Sequence, residues 1–154
     1  MVRLTDVPEY EREHLLGKNL GPLGPPRWSA PTKPLADMRI ALITTAGLHR
    51  RGESAFEFAD ATFRPIAGDD AGQLVMSHSS ANFDRSGFAE DVNLVFPIDR
   101  LRDLAQTGVI GSVADFHYSF MGAGLEPPAY EDSAGQVAVL LQQDEVDAVF
   151  LTPV

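Results

Sequence analysis

The stretch RIALITT at residues 39–45 decides the expected fold of this chain. It is a continuous apolar run, typical of a buried strand, and Gly47 shortly after it predicts a turn. Similar short runs, each ending in polar residues, follow along the chain. They predict further strands at residues 73–77 (QLVMS), 92–95, 109–113 and 147–151 (DAVFL), and a short edge strand at 62–66, where Pro65 favours an edge position.

Two helices are predicted between these strands. The first starts at Pro97, carries Ile98, Leu101 and Leu104 at helical spacing, and ends before Gly108. The second runs from about residue 128 to 143, and its shared apolar face consists of Tyr130, Ala134, Val137, Ala138 and Leu141. Because strands alternate with helices, the sequence predicts an α/β domain with a mainly parallel, right-handed wound sheet and flanking helices.

A short helix and an extended Pro-rich arm are predicted for residues 1–38, ahead of an α/β domain at residues 39–154. The first segment holds six of the 11 prolines, too many for a helix or a central strand around residues 21–34. Asp6 and Glu9 predict a capping box for a helix that continues to about Leu16 and ends near Gly17. Trp28 is expected to anchor the arm.

Composition limits the possible functions. The chain has 154 residues, 44% of them hydrophobic, which is enough for one domain with a core. It has no cysteine and no apolar run long enough for a signal peptide or a membrane span, so a cytoplasmic protein without membrane association is expected. The net charge of −10 argues against a nucleic-acid partner.

The charge is unevenly distributed. Residues 103–154 contain eight acidic residues and neither Lys nor Arg. This asymmetry is typical of a solvated acidic face. The alternative is a cationic partner, either another subunit or a continuation of the same chain.

Three polar clusters carry the possible chemistry, and all are expected beyond the carboxyl ends of strands, where open α/β sheets bind ligands. They are TTAGLHRRG at 44–52, SHSSANFDRSGF at 77–88 and DFHYSFMG at 115–122. Each contains one histidine, a candidate acid or base: His49, His78 and His117. A structural role is the alternative for each of them, and no HxxxH-type pair supports a shared zinc ion.

Further residues of these clusters are candidates for binding a small substrate. Arg50, Arg51 and Arg85 could hold a carboxylate through paired hydrogen bonds, although Arg85 could instead pair with Asp84 or Asp91. Hydroxyl and amide groups complete the candidate set, namely those of Thr45, Ser79, Ser80, Asn82 and Tyr118. The sequence lacks GxSxG, P-loop and GxGxxG motifs, so the corresponding hydrolase and dinucleotide functions are not favoured.

Several phrases together resemble the selenoprotein B family of glycine/sarcosine/betaine reductase and D-proline reductase, especially its shorter, D-proline-reductase-like members. The phrases are TTAGLHRRG, SHSSANFDRSGF, DVNLVFPIDRLRDLAQTGVIGSV, HYSFMG and DAVFLTPV. In that family the strand written here as VFLTPV is followed by selenocysteine, or in some members by cysteine. The resemblance therefore implies that this chain is the N-terminal portion of a longer selenoprotein, truncated at a UGA codon after Val154, with an incomplete α/β domain.

The resemblance also implies a reaction. A selenolate or thiolate cleaves a C–N bond of a small amino acid or amine, a partner subunit supplies a pyruvoyl group, and a separate thiol system restores the reduced enzyme. An oligomeric complex is expected. The candidate histidines would handle the departing nitrogen's proton, and the arginines would orient a carboxylate. The truncated chain is expected to be inactive and marginally stable, because no helix covers its last strand.

Two other functions stay open on the sequence. The chain could be a binding or assembly subunit of a reductase complex that does no chemistry itself. It could also be a metal-dependent hydrolase built on the three histidines.

Overall fold

The computed structural model describes residues 3–17, 24–25, 29–80 and 85–154. The chain divides into two compact units, Met1–Ala30 and Pro31–Val154. The helices are α1 (Glu9–Leu16), α2 (Ser86–Glu90), α3 (Ile98–Gln106) and α4 (Glu131–Gln143). The strands are β1 (Arg39–Thr44), β2 (Leu48–Arg50), β3 (Phe63–Ala67), β4 (Leu74–Met76), β5 (Ser112–Val113), β6 (Phe116–Phe120) and β7 (Ala148–Thr152). Short 3-10 helices lie at Leu4–Asp6, Leu35–Asp37, Gly68–Gln73, Val92–Leu94 and Pro127–Tyr130.

The first unit contains α1, which ends at Leu16 as the sequence predicts and buries none of its side chains. Its predicted capping box is wrong. The Asp6 carboxylate accepts a hydrogen bond from the Arg3 N–H at 2.9 Å, and Pro8 precedes the helix without a side-chain cap. The expected anchor Trp28 lies outside the described residues, and the extended Pro-rich arm stays a prediction.

The main sheet of the second unit is built around β1. On one side β1 pairs in parallel with β7 along its length, from Ile40 opposite Ala148 to Thr44 opposite Thr152. On its other side β1 pairs in parallel with β5 and then β6. The remaining strand, β3, pairs antiparallel with β6 at the edge, as Pro65 predicts. The predicted mainly parallel α/β sheet is confirmed, while β2 and β4 form a separate two-stranded antiparallel sheet.

Helices cover both faces of the main sheet. Successive residues of a strand point to opposite faces, and Leu42 packs with Ile98 and Leu101 of α3, whereas Ile43 packs with Val137 of α4. Therefore α3 and α4 lie on opposite faces. This agrees with right-handed connections, because α3 leads to β5 on one side of β1, whereas α4 leads across to β7 on the other side.

Some predicted elements differ in the structure. The strand predicted at 92–95 is wrong: Val92–Leu94 form a 3-10 helix, because the Asp91 side chain accepts the Asn93 N–H at 2.9 Å and closes a turn. Only Ser112–Val113 of the predicted strand at 109–113 is extended. The predicted helix at 128–143 begins as a 3-10 helix and becomes α-helical at Glu131. The expected polar loop at 115–122 contains β6, a buried strand.

A bulge interrupts the pairing of β1 with β5 and β6. The three-residue step from Ile40 to Ile43 lies opposite the five-residue step from Val113 to Tyr118, so two extra residues are accommodated. The interruption leaves the buried Leu42 N–H without a ladder partner, and His117 Nδ1 accepts it at 3.0 Å. A side chain thus replaces a missing backbone acceptor in the middle of the sheet.

Arg39 and Asp144 close the outer part of the bulge. Arg39 donates from Nε to the Asp144 carbonyl at 2.8 Å and from Nη1 to the Val113 carbonyl at 3.0 Å, and its Nη2 pairs with the Asp144 carboxylate. Asp144 Oδ2 also accepts the N–H groups of Asp115 and Phe116 at 3.1 and 3.3 Å. Although burial opposes the shift, these hydrogen bonds hold the pKa of Asp144 below its usual value.

The substitution Arg39→Lys tests this bracing. Lysine keeps the positive charge, but its single nitrogen cannot replace the separate Nε, Nη1 and Nη2 donors of the planar guanidinium. We therefore expect the free energy of unfolding to fall by about 1–2 kcal/mol in urea denaturation. Arg100→Lys is the matched control, because Arg100 makes an exposed pair with Asp103 at 3.2 Å and should change stability by less than about 0.5 kcal/mol. Equal stabilities for the two variants would contradict the assignment.

Candidate functional site

The carboxyl ends of β1, β6 and β7 meet at one place. The Thr45 N–H donates to the Thr152 carbonyl at 3.2 Å, and the Val154 N–H donates to Thr45 Oγ1 at 2.9 Å. At the end of β6, Gly122 lies so near Thr45 that a Cβ on Gly122 would be 2.5 Å from the Thr45 Cβ. We call Thr45, Met121, Gly122 and Val154 the strand-end junction.

Gly122→Ala should destabilise the junction. Gly122 has a φ of +72°, a conformation that favours glycine, and the added methyl group would collide with Thr45. Gly108→Ala is the control, since Gly108 has a φ of +73° but nothing within 4 Å of the place that an added methyl group would take. We expect a loss of about 1 kcal/mol for Gly108→Ala and of about 2–4 kcal/mol for Gly122→Ala, measured by thermal and urea unfolding. Equal losses would show that the junction has room.

The segment 77–80 adjoins this junction. Ser79 Oγ lies 3.5 Å from the sulfur of the buried Met121. His78 is buried, and its Nδ1 accepts the Ser80 N–H at 3.2 Å, which places its ring proton on Nε2. Burial, and secondarily the charge of Arg85, lowers the pKa of His78, so the ring is neutral at pH 7. Asn82 lies outside the described residues.

Arg85 holds the segment 77–80 in shape. Its Nη2 donates to the carbonyl oxygens of His78 and Ser80, the latter at 3.2 Å. Asp91, one of its expected partners, instead accepts hydrogen bonds from Asn93. Asp84, the other, lies outside the described residues. The structure therefore places the Arg85 guanidinium on main-chain carbonyls next to the junction.

His49 forms a buried pair with Ser77. Its Nδ1 lies 3.0 Å from the Arg50 carbonyl oxygen, and its Nε2 lies 2.6 Å from Ser77 Oγ. A carbonyl oxygen only accepts, so Nδ1 carries the ring proton and Nε2 accepts from the Ser77 hydroxyl in the singly protonated ring. This pair fastens β2 to the residue that follows β4.

The other two candidate arginines follow β2 away from the junction. Arg50 Nε pairs at 3.0 Å with the carboxylate of Asp70, a residue of the 3-10 helix that begins at Gly68. The Gly68 N–H donates to the Asp115 carbonyl, just before the amino end of β6. The side chain of Arg51 is exposed, and its N–H donates to the Gln73 carbonyl at 2.8 Å.

His117 and Tyr118 lie inside β6. His117 is fully buried on the α3 face, and burial, with a smaller effect of the Arg102 charge, lowers its pKa to about 4. Tyr118 is buried on the opposite face, edge-on to Phe63 with ring centroids 5.8 Å apart. Burial raises the pKa of Tyr118. Among the described residues, no group of His, Asp and Glu could hold a metal ion, so the three candidate histidines are not gathered into a metal site.

Sequence reasoning missed an apolar cavity of about 480 Å³ beside the junction. Ile43 and Thr45 line it from β1, and Ala138 and Leu141 line it from α4. The Tyr130 hydroxyl, also lining it, is buried without a hydrogen-bond partner in the described part of the chain. The sequence signal for this cavity is the pair Ala134 and Ala138, because larger side chains at these positions of the apolar helix face would have filled the space.

A parallel α/β sheet with a polar segment at its strand ends is the frame of a ligand-binding domain. The family model for glycine/sarcosine/betaine reductase selenoprotein B (GRDB) matches residues 26–154. The chain therefore belongs to this family, as its sequence phrases indicate.

Curated relatives agree with the family. The D-proline reductase subunit gamma of Acetoanaerobium sticklandii is 38% identical over 83% of this chain and 53% of its own length. The glycine reductase complex component B subunit gamma of Symbiobacterium thermophilum is 31% identical over 79% of this chain and 30% of its own length. The betaine reductase complex component B subunit beta of Peptoclostridium acidaminophilum is 29% identical over 80% of this chain and 30% of its own length. The chain thus spans about half of the first relative and about a third of the others.

No solved structure matches the chain. In the described ranges, none of the helices combines the length and apolar character that crossing a membrane requires.

Proposed function

We propose that this chain is the N-terminal portion of a reductase subunit that cleaves a C–N bond of a small amino acid or amine. The reactive selenolate or thiolate would belong to the residue that follows Val154 in the full-length protein. One observation carries the proposal: the Val154 N–H is fixed by Thr45 Oγ1 at 2.9 Å, where three strand ends meet beside a polar segment. Relatives named as reductase subunits and complex components support a multi-subunit assembly for this chain as well.

The residues present suit a reactive anion at that position. The Thr45 hydroxyl belongs to the junction, and the hydroxyl of the exposed Ser79 lies beside it. A strand-to-loop position also exposes backbone N–H groups, which favour an anion over a neutral thiol or selenol. When present, the selenolate or thiolate would supply the electrons for reductive cleavage, and a pyruvoyl group on a partner subunit would activate the substrate nitrogen.

The chain's own residues would position the substrate. His78 and Arg85 fix the segment 77–80, because each is bound to its main chain. Burial lowers the pKa of His78 and so favours the neutral ring, with its proton at Nε2. The ring is therefore suited to orient the main chain of segment 77–80 rather than to act as an acid in the imidazolium form. The apolar cavity would take an aliphatic part of the substrate or of the protein itself.

The first test is the nucleotide sequence after the Val154 codon. An in-frame UGA, followed by an open frame that starts with proline and soon reaches a cysteine, is expected. A UAA or UAG codon without such a frame would overturn the proposal and favour the non-catalytic assembly subunit.

The second test is activity. The full-length protein, with cysteine after Val154, would be combined with its partner subunit and a dithiol. Product release would be measured with glycine, sarcosine, betaine and D-proline. Thr45→Val should lower turnover roughly ten-fold by freeing the Val154 main chain. Thr107→Val is the control, because the Thr107 hydroxyl donates to the carbonyl groups of Asp103 and Leu104 at the end of α3. Activity that survives serine in place of the reactive residue would refute the proposal.

A further inference from the structure

The last strand of the sheet is left open. β7 pairs with β1 on one side, and the described residues provide no strand on its other side. Its apolar side chains are exposed on both faces, with Phe150 50% exposed on the α3 face and Leu151 65% exposed on the α4 face. An open, apolar edge strand is a surface that normally pairs with further polypeptide.

The α4 face beside β7 is also incompletely covered. α4 packs through Val137 onto Tyr118 and Phe120 of β6. Over β1, the neighbour of β7, it leaves the apolar cavity of about 480 Å³, which Ile43, Ala138 and Leu141 line. Leu151 pairs in register with Ile43 and so points to the same face. We call Ile43, Ala138, Leu141 and Leu151 the α4–β7 groove.

The path of the chain indicates what covers this groove. From β6 the chain crosses through α4 to β7, moving outward across the sheet on the α4 face. Connections between parallel strands are right-handed, so a next connection in the same outward direction lies on the same face, next to α4. A helix in that connection would fill the groove, and the strand after it would pair with the free edge of β7.

Three further observations favour the chain's own continuation as the occupant. The matched segment covers 53% of the D-proline reductase subunit gamma, so that relative has a comparable length of chain outside the match. Four of the eight acidic residues in 103–154 pair with cations of the preceding chain, namely Asp103, Asp115, Asp144 and Asp147. Glu131 and Asp132, in contrast, are exposed in the first turn of α4, so basic residues would suit an occupant that packs beside this helix. Val154 itself lies next to the cavity, because its N–H donates to Thr45, which lines the cavity.

We infer that the polypeptide following Val154 forms a basic, amphipathic helix in the α4–β7 groove and returns as a parallel strand on the free edge of β7. The inference rests on the proposed function only in requiring that the chain continues. The reactive residue would then sit between a strand end and a helix start, closed in by the chain that carries it.

The test uses the absence of cysteine from this chain. Leu151→Cys would be made in the 154-residue chain and in the full-length chain, with serine at the reactive position and at every downstream cysteine. The rate of maleimide labelling would be compared between the two lengths. Val109→Cys, at a residue 45% exposed in the turn after α3, is the matched control. Hydrogen exchange of β7 amides in the unsubstituted chains gives a second measurement that no substitution disturbs.

We expect labelling of Leu151→Cys to slow at least about ten-fold in the full-length chain, with Val109→Cys unchanged and with slower amide exchange across β7. Equal rates at both lengths would overturn the inference. So would slow labelling of a dimeric 154-residue chain, which would assign the groove to a second copy, or protection only after a partner subunit is added. Labelling needs no turnover and is measured in the serine-substituted chains, whereas activity is measured separately in the full-length protein with cysteine after Val154. Protection of Leu151→Cys together with no activity of the cysteine-containing protein would refute the proposed function alone. Exposure of Leu151→Cys together with activity of that protein would refute this inference alone.

Discussion

Replacing His117 by phenylalanine is expected to lower the free energy of unfolding by about 2–3 kcal/mol. Phenylalanine keeps an aromatic ring against Phe96, whose centroid is 5.5 Å from that of His117. It removes the acceptor for the Leu42 N–H, which lies in the bulge at the centre of the sheet. A buried donor left without a partner loses its hydration without compensation, and that cost dominates.

His117→Asn is the matched variant, because the asparagine amide oxygen can occupy the position of Nδ1. We expect it to restore about half of the lost stability in urea denaturation, despite its smaller volume. Slower exchange of the Leu42 amide in His117→Asn than in His117→Phe would identify the bond directly. A phenylalanine variant as stable as the original chain would show that the bulge does not depend on His117.

Acidification is expected to weaken the fold by about 3 kcal/mol between pH 6.5 and pH 4. Burial lowers the pKa of His117 from 6.5 to about 4, so in this interval the unfolded chain binds a proton that the folded chain excludes. Stability is therefore complete above pH 6.5 and is lost as the pH falls toward 4. The lowered pKa of His78 acts in the same direction.

Urea denaturation at half-unit pH steps would measure this dependence. His117→Asn cannot titrate, so its profile should be flatter across the same interval and keep only the contribution of His78 and the carboxylates. Asp144, whose pKa is lowered, adds its own loss only below about pH 4. Parallel profiles for the two proteins would assign the acid sensitivity to other groups.

The sequence pattern correctly predicts those strands whose formation depends on the packing of apolar side chains. The strands predicted at 39–45 and 147–151 are found at Arg39–Thr44 and Ala148–Thr152, because apolar runs with β-branched side chains suit a sheet. The region 92–95 is apolar too, but the Asp91 side chain closes a turn there, a local bond that periodicity does not report. The spacing of Ile98, Leu101 and Leu104 correctly predicts the helix that follows.

β6 could not be found from its pattern, because its inward-facing residues include polar ones. His117 accepts the Leu42 N–H, and Ser119 Oγ accepts the Leu48 N–H at 2.7 Å. Both bonds join residues more than 70 positions apart, so only the folded chain shows that these side chains complete the backbone pairing. The same polar residues suggest a reactive loop when only the sequence is considered.

The candidate site is predictable at the level of strand ends. The rule that ligands bind beyond the carboxyl ends of parallel strands correctly anticipates that Thr45 and Ser79 come close to one place. It does not anticipate that Arg50 pairs with Asp70, because β2 lies within the first cluster and pairs with β4 in a separate antiparallel sheet. The cavity beside Thr45 depends on how closely α4 approaches β1, which sequence spacing does not determine.

The junction of Gly122 with Thr45 restricts how this scaffold can diversify. Backbone atoms there approach too closely for even a methyl group to be inserted. We expect substitutions that alter which molecule is accommodated to fall outside this contact, in the loops around it. The strand-end junction would then stay unchanged, and differences in the bound molecule would arise in the surrounding loops.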